Sequence, residues 1–417
     1  MRRLYILVIA TVAVLGCKRS GDASIHEWRG RDRAGIYYEK GLLKKWPESG
    51  LKELWTIDDT GDGFVSPVFA GQYFYITGET DSVTSLYCYN LKGELQWKTD
   101  LGREWMKSHP GTRSAATIAG DLIYTGTGKG NLYCVNRKNG KILWSKDLVK
   151  DFQGVLPLHG HSEAALVCGD KVFWTPGGKK YNVVALNRFT GDLIWQNRGF
   201  GERSAYNSPK LIRLQSRNIV AAFSAYHLMG FDAETGELLW SHEQDNYPPE
   251  KRTLGYGDTH SNTLLYDNGS IYYVEGDGNC AVRLDLSADG STIKIIWRNK
   301  RMDGFMGGVV KIGDYIYSSA SSSPNLFSAN IATGMLVDSV RAGSGALIAA
   351  DNMLYYYTQK GEMILFGYDN GKLTRISSFR VLRGNSPHFA HPVINDGNLY
   401  IRHGKVLMAF DLNEKDY

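Results

Sequence analysis

Four times in succession a glycine is followed four residues later by a tryptophan: Gly93 and Trp97, Gly140 and Trp144, Gly191 and Trp195, Gly236 and Trp240. Each pair is preceded by a small residue, any residue, then Asn or Asp, as in Cys88-Tyr89-Asn90, Cys134-Val135-Asn136, Ala185-Leu186-Asn187 and Gly230-Phe231-Asp232. Strand-rich units recurring every ~40–50 residues stack around an axis rather than fold as independent domains, which predicts a β-propeller.

Each unit reads as four short strands. The second carries a large aromatic, such as Tyr75, Tyr124 or Phe173, and the fourth carries the tryptophan. Eight units can be counted. The fifth ends at Trp297 after a longer Ser287 to Ser291 turn, the sixth has Asp338 where tryptophan would stand, and the seventh keeps only Gly371. The eighth starts at His391 and reaches Ala409-Phe410-Asp411 without its fourth strand. An orphan copy of that strand, Gly50 to Trp55, stands before the first unit. Pairing the two would close the ring and leave no open sheet edge. The expectation is an all-β fold: an eight-bladed propeller of four-stranded antiparallel blades, closed by the strand at about 50–56. Trp55, Trp97, Trp144, Trp195, Trp240 and Trp297 would then dock between blades.

The first residues read differently. Arg2 and Arg3 precede an apolar run from Leu4 to Leu15, which ends at Gly16-Cys17. A basic start, a short apolar stretch and a small residue at the cut describe an export signal. The organisation expected is a lipoprotein signal peptide at 1–16, an anchor and extension at 17–49, and a propeller at 50–417. Cys17 would be the lipid anchor. Loss of the leader lowers the formal net charge of +5 by two, which gives no argument for nucleic acid. Cys88 and Cys134 hold a repeat position filled elsewhere by Ala185 or Gly230, so they read as small buried side chains rather than disulfide partners.

The run Ala185-Leu186-Asn187-Arg188-Phe189-Thr190-Gly191-Asp192-Leu193-Ile194-Trp195 resembles the tryptophan-docking motif of the quinoprotein alcohol dehydrogenase-like superfamily. That superfamily of PQQ-like repeat propellers includes the outer-membrane assembly lipoprotein BamB. Trp28-Arg29-Gly30, Thr175-Pro176-Gly177-Gly178 and Ala390-His391-Pro392-Val393 resemble the PQQ-like repeat proteins more than true dehydrogenases. The resemblance implies two opposed functions. One is a non-catalytic binding scaffold, a monomeric ring with protein partners in the bacterial envelope, held at the outer membrane by its lipid and facing the periplasm or the cell surface. The alternative is a periplasmic PQQ-dependent oxidoreductase.

The enzyme reading demands more than blades. Quinoprotein dehydrogenases hold their quinone against a disulfide between adjacent cysteines, with a glutamate, an asparagine and an aspartate around calcium. None of the five cysteines here is adjacent to another. Glu163, Asn207 and Asp258 lie just ahead of inner strands and are the nominees as oxygen ligands, the type calcium prefers. With Arg113, Asn262 and His391 they form the candidate ligand site at the propeller mouth. The scaffold reading takes no cofactor; PQQ with calcium belongs to the alternative. Other motifs fail on context. Gly126-Thr127-Gly128-Lys129-Gly130 mimics a phosphate loop inside a hairpin with no helix to follow, and the histidine pairs 159/161 and 388/391 lack a third zinc ligand.

Overall fold

The computed structural model describes residues 25–244 and 247–414. Among the described residues the chain forms eight sheets, each built on four antiparallel strands. The inner strands are Val68–Ala70, Thr117–Ala119, Leu166–Cys168, Lys210–Arg213, Leu265–Asp267, Val309–Ile312, Gly345–Ala350 and Val393–Asn395. Each begins at the same end of the channel, here called the mouth, and ends in a tight turn at the opposite face.

The ring closes as the split motif requires. Glu53–Ile57 pairs antiparallel with Val406–Asp411, with Trp55 opposite Ala409, and so supplies the outer strand of blade eight. The docking logic then repeats from blade to blade. Each indole lies over the signature glycine of the next blade: a Cβ on Gly93 would meet Trp55, on Gly140 Trp97, on Gly191 Trp144, on Gly236 Trp195, and on Gly334 Trp297. Those glycines hold φ between 70° and 81°, a region closed to most residues, so both backbone and contact demand glycine. The indole N–H also finds the next blade's backbone: Trp144 donates to Arg188 O at 3.0 Å, Trp195 to Ala233 O at 3.1 Å and Trp297 to Ile331 O at 2.8 Å.

Two departures have local causes. In blade five the longer turn puts Gly290 against Leu214 and Ile219 instead of an indole, and buried Trp240 Nε1 is left without an acceptor. In blade six Asp338 replaces the indole by accepting the Leu373 backbone N–H of blade seven at 2.8 Å. Cys88 and Cys134 are free and buried, as their repeat position implied, and Cys280 is buried as well.

The extension is where the structure adds most. Residues 25–37 form a two-armed loop inside the channel, each arm paired with a different blade. Ile25–His26 joins blade two as a fifth, innermost strand, with Ile25 opposite Ala119. Ile36–Tyr37 joins blade seven in parallel, opposite Ala349 and Ala350. Between them two buried arginines reach across the ring. Arg33 donates to Ala165 O and Pro209 O, each at 2.8 Å, and to Glu27 at 3.0 Å. Arg29 donates to Leu347 O at 3.1 Å and Val309 O at 2.9 Å. Carbonyls in the inner strands or just ahead of them therefore pay the desolvation of the guanidinium groups. This plug bonds to blades two, three, four, six, seven and eight, and Trp28 packs on the cluster around Val68 of blade one. Residues 38–49 then cover blades seven and eight, where Trp46 packs on Tyr355 and Phe379.

Candidate functional site

The plug divides the channel into two cavities. The larger, about 720 Å³, opens on the inner-strand-end face beside Glu27, Arg31, Asp32, Lys210 and Arg213. The smaller, about 260 Å³, lies at the mouth above Trp28. It is lined by aromatic rings in mutual contact. Phe64 meets Phe389 with centroids 5.5 Å apart, His109 meets Phe389 at 5.9 Å and His159 at 5.6 Å, and His159 meets Tyr206 at 6.0 Å. Trp28 stands edge-on to His391 at 5.0 Å on the floor.

The six nominated mouth residues are all near this cavity, but most of their polar capacity is spent. Arg113 gathers backbone carbonyls: His159 through Nη1, and His109 at 2.6 Å and Gly111 at 3.2 Å through Nη2. It fixes the two loops that carry the histidines. Glu104 sits behind it, 3.9 Å away, accepting Gly128 N and Trp105 N at 2.7 Å each. The glycine-rich hairpin thus cradles the protein's own carboxylate. Burial raises the Glu104 pKa despite these donors. Asp258 is fully buried and ion-paired with Arg203. Asn262 is saturated, donating to Val274 O and Gly304 O and accepting Gly308 N, and so ties blade five to blade six. His391 Nδ1 lies 2.7 Å from Arg29 Nη1.

Glu163 and Asn207 differ. Glu163 Oε2 accepts Thr175 N at 3.1 Å and the Thr175 hydroxyl, and lies 3.4 Å from His161 Nε2, but buried Oε1 has no hydrogen-bond partner. Asn207 donates to Asn262 O at 2.6 Å and to Glu275 at 2.7 Å, leaving its buried Oδ1 unpartnered. Two oxygens fall well short of the six to eight that calcium takes. With Asp258 held by Arg203 and no adjacent cysteines in the sequence, the residues present do not fit a calcium-bound quinone. Among the described residues no three His, Cys, Asp or Glu side chains gather as a metal site.

Around the cavity the blade-to-blade loops expose Met106, Val155, Leu158, Leu254 and Tyr256. Leu158 and the 254–256 loop are neighbours, since a Cβ on Gly255 would stand 2.6 Å from Leu158 Cδ2. Sequence reasoning missed this rim. Its members sit on aperiodic loops, and only the fold brings them together.

Residues 82–339, well over half the chain, match the family described as outer membrane protein assembly factor BamB. The chain belongs to this family. It is 25% identical to outer membrane protein assembly factor BamB of Yersinia pestis over 298 residues, 66% of this chain and 67% of that one. It is 27% identical to a quinoprotein ethanol dehydrogenase of Pseudomonas putida over 162 residues, 34% of this chain but only 24% of the dehydrogenase. The crystal structure of BamB from Moraxella catarrhalis superposes with a TM-score of 0.63 at 13% identity, covering 87% of this chain and 99% of that one, which shows a common fold. No helix among the described residues is long and apolar enough to cross a membrane.

Proposed function

We propose that this protein is an exported lipoprotein of the bacterial outer membrane, anchored through Cys17, which binds a protein partner at its propeller mouth and serves outer-membrane protein assembly without catalysing a reaction. The observation that carries this reading is the mouth itself. Its rim exposes a cluster of large apolar side chains, and beneath it Arg113, Asp258 and Asn262 hold loops and blades together. Exposed apolar groups around a rigid concave centre are what a docking partner buries. Family membership supports the assembly role. Leu158→Asp and Tyr256→Asp test it in a host lacking its own copy: both variants should accumulate as folded lipoprotein yet fail to restore the level of folded outer-membrane β-barrels. Full restoration by both would sink the proposal.

The alternative, a PQQ-dependent oxidoreductase, keeps one observation in its favour. Glu163 Oε1 and Asn207 Oδ1, on adjacent blades at the mouth, are buried acceptors without a donor.

A further inference from the structure

The plug fixes where the chain enters the ring, and that constrains how an anchored ring stands on its membrane. Ile25 pairs antiparallel with Ala119, the last residue of the blade-two inner strand. The described chain therefore begins at the inner-strand-end face, opposite the mouth, and runs from Ile25 toward the mouth. Cys17 precedes Ile25 by eight residues. Fully extended, that stretch spans at most about 28 Å.

We propose that the inner-strand-end face lies against the lipid and the mouth faces away from it. This rests on the reading of Cys17 as the anchor. To bring Cys17 level with the mouth, the tether would first have to cross blade two, from the innermost strand over four more in the order of that sheet. At the usual strand spacing this takes about 19 Å. It would then have to climb the outer strand Ile142–Asp147, six residues long, or about 20 Å more. Eight residues cannot cover both legs. The short way through the channel is shut by the plug, where Arg29 and Arg33 are buried.

The near face suits the role. Tyr38, 77% exposed, stands where the plug leaves the ring, and tyrosine is enriched at membrane interfaces. The consequence concerns the partner. A mouth turned from the membrane meets a soluble domain that projects into the aqueous compartment, and is out of reach of a surface embedded in the same lipid.

The test uses the full lipidated chain in phosphatidylethanolamine and phosphatidylglycerol vesicles carrying a headgroup-attached quencher. One fluorophore is placed through Gln72→Cys, on a turn of the near face, or through Leu382→Cys, on a mouth-side loop; the native cysteines Cys88, Cys134, Cys168 and Cys280 are all buried. Quenching should be several-fold stronger from position 72. A flexible insert of about twenty Gly/Ser residues ahead of Ile25 should erase the difference while the protein still floats with the vesicles. Equal quenching from both positions in floating protein would overturn the orientation alone, and a difference that survives the insert would overturn the tether argument. Protein that never floats would remove the anchor, and the orientation with it.

Discussion

Trp55 donates its indole N–H to the carbonyl of Leu91 at 3.0 Å, so the strand that completes blade eight also locks onto blade one. The same ring stacks on Phe74, with centroids 5.8 Å apart and planes within 6°. Trp55 is half-buried, which places Trp55→Ala at the lower end of the usual cost of truncating a packed aromatic, about 3 kcal/mol. Urea titration should show this loss, whereas the same change at exposed Tyr38 should be nearly silent. A silent Trp55→Ala would contradict closure by the two termini.

The ring was legible because its determinants are periodic. Glycine and tryptophan recur at fixed spacing, and the missing outer strand at one end had its copy at the other. The plug was not legible. Trp28 to Arg33 reads as a charged extension, and nothing local says that Arg33 is solvated by carbonyls 132 and 176 residues away. The mouth was half legible. Position ahead of an inner strand identified residues near the cavity, but whether a side chain is free depends on partners such as Arg203 for Asp258, which the fold supplies.

Arg33→Met should therefore destabilise the whole ring. Glu27 would lose its ion pair and two buried carbonyls would lose a donor, a cost of about 3–5 kcal/mol. Adding Glu27→Leu should recover a good part of it by removing the stranded charge. Thermal melts of the single and double variants decide this, and an unperturbed Arg33→Met would mean that the plug bears no stability.

The pair of Arg29 and His391 makes stability depend on pH. Arg29 can only donate, so His391 Nδ1 accepts and the ring proton sits on Nε2. Burial, then the Arg29 charge, holds the imidazole pKa well below its ordinary 6.5. The unfolded chain takes up that proton first, so the contribution is present above about pH 6.5 and fades as pH falls toward the folded pKa. Between pH 6.5 and 4.5 wild type should lose stability more steeply than His391→Gln. Parallel curves would contradict the assignment.

Protein supplied with PQQ and calcium should not oxidise alcohols in a dye-linked assay. The carboxylate nominated beside the metal, Asp258, is bound to Arg203 and is not free to act as a base. Turnover that disappears with Glu163→Ala would instead promote the oxidoreductase.

The docking claim is tested most directly by placing a photo-crosslinking residue in living cells, at Tyr256 on the mouth rim or at Gln72 on the opposite face. A discrete covalent adduct with a protein of the outer-membrane assembly machinery is expected from position 256, and none from position 72. No adduct from position 256, or the same adduct from both faces, would contradict the claim.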